Sequence, residues 1–159
     1  MAMLRPAQLA ESNKEDGHQM AVFAEIAIRI KEKRLPAFMR FAYAVPNGGL
    51  RGDTRETALR RGAKLKATGV KAGVPDICVP IPQLSHHGLY IELKRPKTDS
   101  NRQGRESKEQ EEYKEFLISA GYKVEVCVGW EAAIEAIDNY LGRPSRFKGT
   151  SYGIWEPGL

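Results

Sequence analysis

Two short apolar runs near the middle of the chain constrain its fold more than any other feature. Residues 88–94, Gly-Leu-Tyr-Ile-Glu-Leu-Lys, alternate strictly. In an extended segment Leu89, Ile91 and Leu93 fall on one face, and Tyr90, Glu92 and Lys94 on the other. The run Asp76-Ile77-Cys78-Val79 is stopped by Pro80 and Pro82, which lack the N–H that a strand ladder needs. Together they predict an antiparallel hairpin turning through residues 83–87, with Asp76 at one end and able to face Glu92.

The polar residues of this hairpin carry a definite chemistry. Pro75-Asp76 followed by Glu92-Leu93-Lys94 brings two carboxylates and one amine together from separate segments. A hard divalent cation such as Mg²⁺ takes oxygen ligands, usually one or two carboxylates plus substrate phosphate. A lysine beside it can orient an attacking water or offset charge developing on phosphorus. A plainer reading of the same residues is that Asp76 caps a strand after a proline turn, and Glu92 and Lys94 form a solvated strand face.

The charge of the chain leans toward a phosphate-rich partner. Its 159 residues carry a formal net charge of +5. Segment 51–72 holds Arg51, Arg55, Arg60, Arg61, Lys64, Lys66 and Lys71 against Asp53 and Glu56. Segment 94–108 holds Lys94, Arg95, Lys97, Arg102, Arg105 and Lys108 against Asp99 and Glu106. These basic stretches bracket the Asp76/Glu92 pair, as expected where Lys and Arg grip a nucleic-acid backbone by releasing its counterions. Arg51, Arg60, Arg61, Lys64, Lys66 and Lys71 are the candidates for that grip. Asn47, in the turn Pro46-Asn47-Gly48-Gly49, could let backbone approach a phosphate, or simply form a tight turn.

Other classes are set aside by what the sequence lacks. No apolar run approaches the ~20 residues that span a bilayer, and residues 1–8 do not read as a signal peptide. Cys78 and Cys127 lack CxxC spacing and sit in strand-like runs, so they read as small hydrophobes rather than a zinc site or disulfide. A cytoplasmic setting is expected. His86 and His87 read as a solvated turn and His18 as a surface residue; Trp130 reads as core, although Trp130 and Trp155 could stack on bases.

The remaining pattern is that of an α/β domain over residues 12–141, with a loose stretch at 1–11 and a basic, aromatic tail at 142–159. A helix is expected from Ser12 or Asn13 to about Arg34, with Val22, Phe23, Ile26 and Ile30 as its buried stripe and Glu25 off it. Glu15 and Gln19 extend that stripe toward the N-terminus. Residues 38–45 read as a strand, and Asp53-X-X-Glu56 opens a helix running to about Thr68. Ser107-X-X-Gln110 is a capping box for a helix to Ala120, with Tyr113, Phe116, Leu117 and Ala120 as its inner face and Gly121 as its stop. Residues 123–128 read as a strand and 131–141 as a last helix. A mixed β-sheet flanked by helices accommodates this order, with the strands at 89 and 123 parallel across a helical crossover.

On the segments 45–49, 65–76, 89–94, 107–110 and Gly121-Tyr122, the chain resembles the stand-alone VRR-NUC domains of phages and bacteria, a branch of the PD-(D/E)XK nuclease superfamily. The resemblance covers roughly residues 15–141. It implies a PD-(D/E)XK restriction-endonuclease-like core. It also implies Mg²⁺ or Mn²⁺ held by Asp76 and Glu92, with the backbone carbonyl of Leu93 as a further ligand. Lys94 then matches the catalytic lysine, and Gln110 the helix glutamine that orients around the site. Glu15 is the best match to an acidic residue on the family's first helix, with helix capping as its other reading.

The activity so implied is endonucleolytic hydrolysis of DNA by a homodimer suited to four-way junctions, in a bacterial or phage-infected cell, with no organic cofactor and no membrane. A non-catalytic nucleic-acid-binding module of the same fold is the rival reading, and a nuclease acting on flaps or ends is a third.

Overall fold

In the computed structural model, residues 4–11, 15–46, 54–97 and 106–142 are described, with the backbone alone at positions 15, 55 and 58. Four strands form one mixed sheet in the order β1 (Tyr43–Ala44), β2 (Ile77–Val79), β3 (Leu89–Lys94), β4 (Lys123–Val128). The expected hairpin is present: β2 and β3 are antiparallel, with Ile77 opposite Ile91, Cys78 opposite Tyr90 and Val79 opposite Leu89. β1 pairs antiparallel to β2. β3 and β4 run parallel in register from Leu89–Lys123 to Lys94–Val128.

Strand alternation assigns the two faces of this sheet. Ile77, Val79, Leu89, Ile91 and Leu93 are buried to within 1% of complete on one face. They pack with Val22 and Ile26 of α2 (Glu15–Lys31) and with Ala133, Ile134 and Ile137 of α5 (Trp130–Tyr140). The opposite face carries Asp76, Cys78, Tyr90, Glu92 and Lys94. Here α4 (Lys108–Ser119) packs on β4. α3 (Arg55–Ala67) is capped by Thr54, whose hydroxyl accepts from the Thr57 N–H. Cys78 and Cys127 are buried and unpaired, as expected.

Several elements differ from the sequence expectation. Residues 38–45 do not form one strand: Ala37–Phe41 is a 3₁₀ helix, followed by only two paired residues. The Met39 N–H donates to the Pro36 carbonyl and the Ala42 N–H to the Met39 carbonyl, closing three-residue turns where a ladder would have formed. A short helix α1 (Pro6–Ala10) occupies the stretch read as loose, and α2 ends at Lys31, before Lys33 turns to φ 57°. Phe116, expected inside, is 60% exposed. Trp130 is partly buried against the core, as expected.

The largest departure is on α2. Glu25, expected to point away from the core, is 6% exposed, and His18, expected on the surface, is 5% exposed. Residues 18, 22, 25 and 29 make a second helical stripe beside 22, 26 and 30, and α2 is covered on several sides because it packs on β3, on α5 and on α1. On that stripe Arg29 Nε donates to Glu25 Oε1 at 2.7 Å, and its Nη1 donates to both carboxylate oxygens of Asp138 on α5 at 3.0 and 2.8 Å. All three residues are buried.

Removing one partner of a buried ion pair leaves an uncompensated charge, which costs about 3–5 kcal/mol. Asp138→Ala should lower the urea unfolding free energy by that amount with an unchanged slope; a loss below about 1 kcal/mol would mean that Glu25 alone satisfies Arg29. Burial also pushes the Cys127 thiol up to about 12. The native chain should therefore leave Cys127 unmodified by a thiol reagent at pH 8, and modification without denaturant would contradict that burial.

Candidate active site

The site is assembled by the hairpin register and closed by the first turn of α4. One step beyond the Ile77–Ile91 pair, the register sets Asp76 opposite Glu92. Asp76 is fixed on both sides: its carbonyl accepts from the Val45 N–H at 2.8 Å, and its Oδ2 accepts from the Leu93 N–H at 2.8 Å. Glu92 and Lys94 project to the same face, and Lys94 Nζ donates to Glu92 Oε1 at 2.7 Å. Gln110 Nε2 donates to the same Glu92 oxygen at 2.6 Å.

Gln110 bonds both Ser107 and Glu92, because its amide has two ends. Its Oε1 accepts from the Ser107 N–H at 2.9 Å, while the Gln110 backbone N–H donates to the Ser107 hydroxyl at 3.3 Å, completing the capping box. The Nε2 end is thereby aimed at Glu92. Gly73 allows this approach. It adopts φ +85°, and a Cβ built there would lie 2.3 Å from the Glu109 carbonyl oxygen. Thus the loop leading to Asp76 lies directly against the backbone of α4. Glycine at that spot is a site-building feature that the sequence reading passed over; its signal was a glycine two residues before Pro75 in an otherwise ordinary loop.

Both carboxylates are nearly enclosed, Asp76 at 5% and Glu92 at 6% exposure. Buried charges persist only when paired or hydrogen-bonded, and here Lys94, Gln110 and the Leu93 N–H supply those partners. Two facing carboxylates are the hard oxygen donors that Mg²⁺ or Mn²⁺ takes, so the residues present fit such an ion. No group of three or more His, Cys, Asp or Glu side chains gathers among the described residues. The Glu15 side chain lies outside them; its backbone opens α2.

The VRR-NUC domain matches this chain over residues 29–131. The chain belongs to the VRR-NUC domain family. A solved structure described as a "VRR_NUC domain protein" is 28% identical, with a TM-score of 0.56, and the alignment covers 80% of this chain and 87% of that one. No curated protein matches. The mixed sheet flanked by helices is consistent with the PD-(D/E)XK-like core. The VRR-NUC family is of nuclease type, which makes DNA the substrate class and hydrolysis the reaction class. Asp76, Glu92, Lys94 and Gln110 all lie within the matched span, and Glu15 lies outside it.

The basic residues are separate from this cluster. Arg60, Arg61, Lys64 and Lys66 line exposed positions of α3, and Lys71 is exposed in the loop that follows. Arg60 pairs with Glu56 at 2.7 Å on the surface, a contact of little energetic weight. Arg51 and Asn47 fall outside the described residues. Among the described residues no helix is long and apolar enough to cross a membrane. His86 and His87 do not join the site: His86 packs edge-on against Tyr140, and His87 against Tyr122.

A side chain at position 73 must displace either α4 or the Asp76 loop. Gly73→Ala should cost about 1–3 kcal/mol and reduce nuclease activity well below what that stability loss explains. Full activity in a folded Gly73→Ala chain would show that the contact with α4 is dispensable.

Proposed function

We propose that the chain is a Mg²⁺- or Mn²⁺-dependent DNA endonuclease selective for branched DNA, four-way junctions above all. The observation that carries this reading is the pairing of Asp76 and Glu92 on one sheet face, with Lys94 and Gln110 both on Glu92 Oε1. Asp76, Glu92 and the Leu93 carbonyl would hold the metal, with Glu15 as a further candidate. Such an ion lowers the pKa of a bound water and polarises the scissile phosphate.

The chain's own residues do the rest. Gln110 fixes the Glu92 carboxylate so that it does not rotate away from its partner. Lys94, whose side chain is 15% exposed, turns its ammonium toward the entering phosphate, orients the attacking water and offsets charge on the phosphoryl oxygens. The Asp76–Leu93 hydrogen bond keeps the two carboxylates in register as substrate binds. Arg60, Arg61, Lys64, Lys66 and Lys71, with Arg51 and Asn47, hold the DNA backbone. Contacts of that kind position a substrate without reading its sequence, which favours selection by DNA shape. A homodimer would present two such sites related by a two-fold axis, matching the two strands cut in a junction.

Cleavage of four-way junction, flap and linear duplex DNA should proceed in Mg²⁺ or Mn²⁺, stop in EDTA and disappear in Asp76→Ala. Lys94→Ala should lower the rate by about 10²–10³-fold, the loss typical of one transition-state donor. Tight binding without cutting in either metal would replace this reading with a non-catalytic module. Cutting of flaps but not junctions would move it to an end-acting nuclease.

A further inference from the structure

The sheet face that carries the carboxylates also carries a row of aromatic side chains that the nuclease reading does not use. Antiparallel partners share a face, so Tyr43, Cys78 and Tyr90 form one cross-strand row. Asp76 and Glu92 form the next row, about 7 Å along the strands. The aromatic row continues from Tyr90 to Tyr122, with ring centroids 5.5 Å apart, and from Tyr122 to His87 at 5.7 Å.

At the β1 edge this row opens to solvent. Tyr43 is 48% exposed and Phe41 56% exposed, while Cys78 between Tyr43 and Tyr90 is only 3% exposed. Tyr43 stands directly opposite Cys78 across the strand pair, so its backbone is fixed by the sheet although half of the residue is bare. Beside it the Arg40 guanidinium lies 4.6 Å from the centroid of the Phe41 ring. Two large aromatics two residues apart are thus left largely in water, Tyr43 one row from the Asp76–Glu92 pair and Phe41 just before it in the chain. Bare aromatic faces with an arginine among them are the parts from which single-stranded nucleic-acid platforms are made.

We infer that Phe41 and Tyr43 form a stacking shelf that holds unpaired nucleotides of the DNA substrate beside the Asp76–Glu92 pair. The inference deepens the nuclease reading, on which it rests for its substrate class. A continuous duplex hides its base faces, so the shelf acts only on bases released at a branch, flap or nick. It selects for such DNA where the basic residues, which grip phosphates, cannot. Arg40 supplies the local positive charge for the backbone of the unpaired strand.

The test uses the full chain without divalent metal, so that binding is read without cutting. Two DNAs share one duplex: one is blunt, and the other has a single-stranded thymidine arm containing 2-aminopurine. The native chain should bind the armed DNA more tightly and quench the 2-aminopurine. The combined Phe41→Ala, Tyr43→Ala chain should bind the armed DNA about tenfold more weakly or worse, lose the quenching and bind the blunt DNA unchanged. Tyr43→Phe, which keeps the ring, should behave like the native chain. If the double variant fails to fold by circular dichroism, Phe41→Ala alone, at an exposed position outside the sheet, gives the same reading.

Equal weakening on both DNAs, or no preference for the arm in the native chain, overturns the shelf. Cleavage in Mg²⁺ separates this from the parent reading. A chain that cuts DNA without arm preference keeps the nuclease and loses the shelf; one that prefers the arm but cuts nothing keeps the shelf and loses the nuclease.

Discussion

The register between β2 and β3 is the constraint on which the rest depends. Side chains alternate along a strand, so a slip of one residue would send Glu92 and Lys94 into the apolar layer and Ile91 and Leu93 out of it. The burial of Ile77, Leu89, Ile91 and Leu93 against α2 and α5 therefore fixes where the polar face lies. The Leu93 N–H to Asp76 bond then pins the end of the hairpin, where the ladder would otherwise fray. Apolar burial on one side of a sheet sets the geometry of charges on the other.

That division explains which parts were legible in the sequence. The hairpin, the parallel β3–β4 crossover and the α4 cap were all visible, because each is written in local terms: alternation, proline stops, a capping box and a terminal glycine. Asp76, Glu92 and Lys94 stood out in the same local terms, whereas Gln110 read locally only as a capping residue and was joined to them by the resemblance to VRR-NUC domains. The bond from Gln110 to Glu92 needed coordinates, since it depends on how closely α4 approaches the sheet.

The misreadings have a common cause: the pattern of a segment does not report how many sides are covered. α2 packs on β3, α5 and α1 and buries a wide arc, so Glu25, Arg29 and His18 are inside although one stripe would leave them out. α4 is covered on a narrower front, so Leu117 is buried and Phe116 is not. Residues 38–45 had strand composition, but the three-residue turns begun at Pro36 used the backbone groups first. In each case the neighbours decided what local propensity had left open.

The amide of Gln110 joins two events that are usually separate. One end closes the first turn of α4, and the other holds a carboxylate of the site. Helix ends fray on a free-energy scale far below that of global unfolding. The orientation of Glu92 is therefore coupled to a local helix–coil equilibrium. Its setting is that of a latch rather than a rivet: whatever stabilises the start of α4 also raises the fraction of molecules in which the site is assembled.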